Sequence, residues 1–243
     1  MPPKKPAKAI HLNEIQHPYK RPDAYIGSVE TVERKKWIYV GSDGGAGGEA
    51  EGMVLKEIKF NPGLCTIVRE IVSNAIDNRW RSTEMGMEMT YIYFTVDAES
   101  GYIEIKNDGA PLPVRLESTE FIDPITQKAT TRDLYPAELC FGYMRSGTNF
   151  DDTTERKTSG TNGLGAKATS IFSKHLVVTC ADAIEGKVFT QEFSDNLTSR
   201  TTPVVTKYKK EKSYTSVRFL PDYERFGYPG LDKDLLCVIR KMA

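Results

Sequence analysis

Residues 64–76 constrain the fold more than any other stretch. Leu64, Ile67, Val68, Ile71, Val72, Ala75 and Ile76 recur at helical spacing directly after Asn61-Pro62-Gly63, which reads as a turn. Such a stripe requires a helix that packs one face on a core. On the same helix, at 100° per residue, Glu70, Asn74, Asp77 and Arg81 fall within about 60° of one another, away from the apolar stripe. Taken alone, that polar strip is what a solvated face looks like, with an Asp77–Arg81 pair worth about 0.3 kcal/mol.

The remaining periodicity is mostly that of strands. Residues 37–40 and 54–60 alternate as two strands joined by GSDGGAGGEAEG, a flexible hairpin loop; its acids and its lack of lysine argue against a phosphate loop. Residues 89–96 and 102–106 read as a hairpin turned at 98–101, the second strand running straight into Asn107-Asp108-Gly109. Residues 114–134 are polar and irregular, and 136–144 read as a short helix. Residues 146–175 read as a long lid-like loop feeding a helix. Strands are expected at 176–180, 187–193, 204–208 and 214–219, and a closing helix at 231–242. This order predicts an α+β protein, a two-layer sandwich of a mixed, mostly antiparallel sheet with helices on one face. No internal repeat is visible.

A chain of 243 residues with 39% hydrophobic content buries a real core. Residues 1–9, rich in Pro and Lys, read as a flexible basic tail with no apolar leader. Lys+Arg and Asp+Glu both number 33, which excludes a uniformly basic nucleic-acid coat. No run approaches the roughly 18 apolar residues of a membrane span. A soluble, intracellular protein without a membrane partner is the expectation. Cys65, Cys140, Cys180 and Cys237 lie far apart and suggest neither zinc nor disulfides, and three scattered histidines offer no triad.

Chemistry therefore rests on carboxylates, amides and glycines. Asn107 and Asp108 at a strand end offer groups able to read a base edge, and Gly109 permits the turn. Ser159-Gly160-Thr161-Asn162-Gly163-Leu164-Gly165-Ala166-Lys167 is glycine-rich and opens a helix, so its free N–H groups favour phosphate, with Lys167 adding charge. It is neither a Walker A loop nor a dinucleotide fingerprint.

Taken in order, EIVSNAIDN (70–78), NDGAPLPV (107–114) and TSGTNGLGAKATSIFS (158–173) resemble the three nucleotide-binding boxes of the GHKL ATPases. More narrowly, HPYKRPDAYIGSVE (17–30), the Asn61-Pro62-Gly63-Leu64 turn, SGTNFDD (146–152) and TxVxFxPD (215–222) resemble the N-terminal ATPase region of eukaryotic and viral type IIA DNA topoisomerases. The resemblance implies a Bergerat-type ATP-binding domain over residues 10–243. It implies that Glu70 is the general base toward water attacking the γ-phosphate and that Asn74 is the protein ligand of Mg²⁺. Asp77 would stand behind them through water, and Asn107 would contact adenine. Gly147, Thr148 and Asn149 would contact ribose or phosphate; Gly160, Thr161, Asn162, Gly163, Leu164, Gly165, Ala166 and Lys167 would wrap the triphosphate; Thr215 would complete the nucleotide site. The implied partners are ATP, a second copy upon ATP binding and a DNA duplex handled by the whole enzyme, in a nucleus or viral compartment.

The sequence also departs from the family pattern. Ala110-Pro111 replace a basic residue and a glycine, Thr161 stands where arginine is common, and the stretch around Ala9 lacks the arm tyrosine. The chain reads as a fragment that precedes the transducer and carries no DNA-cleaving machinery. A nucleotide-gated clamp without efficient hydrolysis, or another GHKL ATPase, is the alternative. A histidine-kinase domain would need an upstream histidine helix that is not present.

Overall fold

The apolar stripe forms the helix it requires. The computed structural model describes residues 11–41, 51–123, 126–144 and 164–242. In chain order the elements are α1 (Gln16–Lys20), β1 (Val32–Val40), β2 (Gly52–Phe60), α2 (Pro62–Glu84), β3 (Ile92–Val96), β4 (Ile103–Asp108), β5 (Glu117–Ile122) and β6 (Ala129–Leu134). They continue as α3 (Pro136–Gly142), α4 (Gly165–Ile171), β7 (Ser173–Asp182), β8 (Lys187–Ser194), β9 (Ser199–Arg200), β10 (Val204–Lys207), β11 (Tyr214–Pro221) and α5 (Lys233–Arg240).

The main sheet runs β10-β8-β7-β11-β4-β3, with β9 on β8. Every ladder in it is antiparallel among the described residues. Strand alternation sends Ile103, Ile105, Leu176, Val178, Phe189, Phe193, Val217 and Phe219 to one face. There they bury against Leu64, Ile67, Val68 and Ile71 of α2 and Ala168 and Ile171 of α4. The opposite face is polar, carrying Glu104, Lys106, Ser216 and Arg218. This is the two-layer α+β sandwich that the order of elements predicts. A second, smaller core lies under the β1–β2 hairpin, where Ile38, Val40, Ile58 and Phe60 close on Cys65 of α2 and on Cys237 and Val238 of α5.

Asn61 sets where α2 begins. Its side chain accepts the Leu64 N–H at 3.1 Å as an N-cap, and Pro62 takes the first helical position, which needs no N–H. Asn61-Pro62-Gly63 is therefore the helix start, not a separate turn. The same side chain, wholly buried, donates through Nδ2 to Val29 O at 2.6 Å and Phe226 O at 3.1 Å. One amide thus joins the N-terminal segment, α2 and the 3-10 turn Tyr223–Phe226.

Other differences from the sequence reading have local causes. Residues 117–134, expected to be irregular, contain the β5–β6 hairpin. β6 is almost wholly exposed and the half-buried positions of β5 are mostly polar, so no apolar alternation announces them. The strand expected from residue 89 starts at Ile92, because the N–H groups of Thr90 and Tyr91 go to the Asp108 carboxylate instead of a ladder. Ile76 leaves the core face and is 50% exposed; the buried stripe continues from Ala75 through Asn78 and Ser82. Among the described residues, no helix is long and apolar enough to cross a membrane.

Candidate active site

Glu70, Asn74 and Asp77 stand on successive turns of α2, as their spacing requires. Glu70 and Asp77 are half-buried and Asn74 is exposed. Helix α4 lies across α2, held by a hydrogen bond from Thr169 Oγ1 to Ile67 O at 2.9 Å. It brings Gly165 so close to Glu70 that a Cβ at this position would collide with the carboxylate. Two of the sequence elements, the carboxylate strip and the end of the glycine-rich loop, therefore meet here. Burial pushes the Glu70 carboxyl up from its ordinary value, against a weaker downward pull from Arg69. A partly desolvated carboxylate with raised proton affinity is what a general base needs.

A second wall comes from the sheet. Asn107 of β4 and Thr215 of β11 are direct cross-strand partners on the helix-facing side. Asn107 Nδ2 donates to Asp108 O at 2.9 Å, and Asn78 Nδ2 donates to the same oxygen at 3.3 Å. Arg81 Nη2 donates to Ala110 O at 3.0 Å, while Ala110 N donates to Ser82 Oγ at 2.8 Å, so α2 grips the loop after β4 from both sides. Gly109 turns that loop at φ 96, where a Cβ would strike Ser82.

This arrangement leaves polar atoms unspent. Asn78 Oδ1 and Arg81 Nε are buried without a hydrogen bond among the described residues, while the Thr215 hydroxyl lies against the Cys180 thiol and holds it in a weak hydrogen bond. Buried polar groups are nearly always paired, so unspent ones in the walls of one site point to a ligand that carries both donors and acceptors. Asn78 and Arg81 were not singled out as site residues by sequence reasoning. The available signal was a polar pair within and beside the stripe that buries the helix.

Asp108 does not share the base-reading role offered by its neighbour. It follows Asn107 in an extended strand, so it points to the other face, where its carboxylate accepts from Thr90 Oγ1, Thr90 N and Tyr91 N. Burial opposes its ionisation, yet the hydrogen bonds together hold the carboxyl below its usual range. Of the glycine-rich segment, Leu164, Gly165, Ala166 and Lys167 are described. No side chain caps α4 at Leu164. Lys167 is 3% exposed; burial lowers its pKa, with the Cys140 thiol nearby in partial opposition. Gly147, Thr148, Asn149, Gly160, Thr161, Asn162 and Gly163 lie outside the described residues, as does the 1–9 tail.

Among the described residues, no cluster of three or more His, Cys, Asp or Glu side chains is arranged to cage a metal ion. The donor set fits a hard cation that takes one amide oxygen here and the rest of its shell from phosphate and water. A concavity of about 440 Å³ between the 98–101 turn and Leu220–Leu231 lies at the other end of the strands, away from Glu70.

Comparison with known proteins gives the family of this chain. No family model matches the chain. It is 37% identical over 230 residues to DNA topoisomerase 2 of Candida glabrata, covering 95% of this chain and 15% of that protein. The Saccharomyces cerevisiae DNA topoisomerase 2 is also 37% identical, with 95% and 14% covered. The crystal structure of the ATPase region of Saccharomyces cerevisiae topoisomerase II superposes with a TM-score of 0.80 at 36% identity, covering 96% of this chain and 56% of that one. The chain belongs to the type IIA topoisomerase ATPase family. The ATPase and transducer domains of topoisomerase II from Balamuthia mandrillaris superpose with a TM-score of 0.79 at 31% identity, with 96% and 55% covered. This topoisomerase-family chain thus spans about half of the matched ATPase-region structures and a small part of the curated relatives.

Proposed function

We propose that this chain is the ATP-binding and ATP-hydrolysing module of a type IIA DNA topoisomerase, closing into a dimer on ATP and coupling that closure to DNA passage by the whole enzyme. The reading makes it an intracellular protein of a nucleus or viral compartment. The observation that carries it is the meeting of Glu70 with Gly165, beside the buried and unspent Asn78 Oδ1 and Arg81 Nε. A flat heterocycle with alternating donors and acceptors suits the second wall, and a polyphosphate suits the first.

In this reading Glu70 takes the proton of the attacking water, its half-buried setting raising its basicity. Asn74 offers its amide oxygen to Mg²⁺, which, when bound, neutralises phosphate charge. Asn107 and Thr215 orient the base, and Gly165 gives Glu70 room to face the phosphate end. Leu164, Ala166 and Lys167 belong to the same triphosphate-wrapping segment as Gly147, Thr148, Asn149 and Gly160 to Gly163. Asp77 supports the site through water.

Nucleotide binding should be visible as stabilisation. At ATP-Mg²⁺ one hundred times its Kd, the chain should gain about 2.7 kcal/mol. For a domain of this size that corresponds to a Tm rise of roughly 5–10 °C. Chelating Mg²⁺ should reduce the rise. In Asn74→Ala the values with and without Mg²⁺ should converge, because the protein's hold on the cation is lost. A wild-type Tm unmoved by millimolar ATP-Mg²⁺ would refute the nucleotide reading.

A further inference from the structure

Behind Asn107, on the face of the sheet away from the helices, the chain gathers aromatic rings and cations. Tyr91 and Tyr93 stack at 4.4 Å and 23°, and Tyr93 is 60% exposed. Lys106 Nζ lies 4.2 Å from the centre of the Tyr214 ring, which meets Tyr208 edge-on at 6.2 Å. The connection to β11 then supplies Lys209, Lys210 and Lys212, all exposed, against a single acid, Glu211. Tyr208 donates its hydroxyl to Lys212 O at 2.8 Å, which pins this loop beside the rings. No ion pair engages Lys209, Lys210 or Lys212 among the described residues.

The acids nearby offset this charge only in part: the ionised Asp108 attracts Lys212 from inside the sheet. Asp108 is buried and occupied by Thr90 and Tyr91, and Glu104 accepts from Ser216 Oγ at 2.6 Å. In a chain whose formal charge is zero, the exposed Lys209, Lys210 and Lys212 with Glu211 as the one acid of their loop give this sheet end a local positive excess. Burial, with Asp108, Tyr93, Tyr208 and Tyr214 adding to it, pushes the Tyr91 phenol up, so it remains a neutral O–H donor near pH 7.

We propose that this end of the open sheet face is a contact surface for the sugar-phosphate backbone of duplex DNA. Lysine ammonium groups are point charges suited to a string of phosphates, and tyrosine hydroxyls are ordinary phosphate donors. The loop has no arginine fork of the kind that pairs bidentately with carboxylates, which disfavours an acidic protein segment. The contact is independent of base sequence, because nothing in it reaches a groove edge with a paired donor and acceptor. The inference rests on the reading of this chain as part of a DNA-handling enzyme, and it assigns that partner a place on the domain itself.

The test uses the full chain without nucleotide and a fluorescein-labelled 20-bp duplex, followed by anisotropy. Engaging four lysines predicts a slope of log K on log salt near −3.6, so binding should weaken about 10²-fold between 50 and 200 mM salt. Lys209→Ala/Lys210→Ala/Lys212→Ala should bind at least about 10-fold more weakly at 50 mM salt and flatten the slope toward about −0.9. Tyr93→Ala should cost a few-fold. The triple variant should keep the wild-type melting temperature, which separates surface loss from unfolding. No binding by the wild type at 50 mM salt, triple-variant affinity within two-fold of wild type, or displacement of the duplex by polyglutamate as effectively as by unlabelled duplex would each overturn the proposal. The ATP-dependent Tm rise is read separately, so a failed nucleotide site and a failed DNA surface give different results.

Discussion

Glu70→Gln is expected to cut ATP turnover by about 10²-fold or more, in a polypeptide that hydrolyses ATP, while the nucleotide-dependent rise in Tm persists. The amide keeps the shape of the carboxylate beside Gly165 and loses only the proton acceptor. The pH dependence follows from the raised pKa of Glu70, caused mainly by burial. The base works when ionised, so turnover should fall on acidification along a limb displaced upward from that of an ordinary glutamate. Stability has the opposite sign. A folded-state pKa above the unfolded value means the native state holds more protons between the two, so the ionised carboxylate costs stability once pH rises through the folded pKa. Glu70→Gln should therefore melt at or above the wild-type temperature at pH 8, with the difference shrinking as pH falls below the unfolded value. Near-normal turnover in the variant would remove Glu70 from the chemistry and favour a nucleotide-gated clamp.

Asn61→Ala is expected to be the most damaging single truncation for stability. It removes an N-cap worth about 1 kcal/mol and leaves the carbonyls of Val29 and Phe226 without their donor at about 1–3 kcal/mol each. The sum, roughly 3–7 kcal/mol, should lower the melting temperature by about 10–20 °C. Asn61→Asp keeps the cap but sets a buried carboxylate oxygen against the two carbonyls, and near pH 7 should be at least as unstable as the alanine variant in chemical denaturation. A loss below about 1 kcal/mol for the alanine variant would show that the three-way junction is not what holds these segments.

Much of this architecture was legible because the core-facing positions are strictly periodic. The helix after Pro62 and the strands around Ile103, Leu176, Phe189 and Val217 each bury one face, and burial is what writes period into sequence. The hairpin at 117–134 was not legible, since β6 is exposed along almost its whole length and the half-buried face of β5, Glu117, Thr119 and Phe121, is mostly polar. Ile76 misled for the reverse reason: the stripe turns polar at Asn78 and Ser82, where α2 grips the loop after β4, and its neighbouring apolar residue is turned outward.

The candidate site shows the same division. Glu70, Asn74 and Asp77 follow from helical spacing, and Asn107 from its place at a strand end. The contrasting fate of Asp108 needed the register, because one step along a strand reverses the face. Arg81 reads as half of a surface ion pair, and only the fold turns its guanidinium onto Ala110. The closeness of Gly165 to Glu70 is a contact between residues far apart in sequence, carried by the α2–α4 crossing, which no local pattern encodes.

The small core beneath the β1–β2 hairpin has a consequence for how the chain is made. Ile38, Val40, Ile58 and Phe60 are closed in part by Cys237 and Val238 of α5. At ribosomal rates of about 5–20 residues per second, the underside of the hairpin waits roughly 10–40 s for its lid to be synthesised. During that interval a greasy, two-stranded ribbon is tethered to the nascent chain with its cover still missing. The hairpin is thus the part of the molecule that a chaperone has most reason to hold, and stalling translation between residues 60 and 233 should leave it open to proteases.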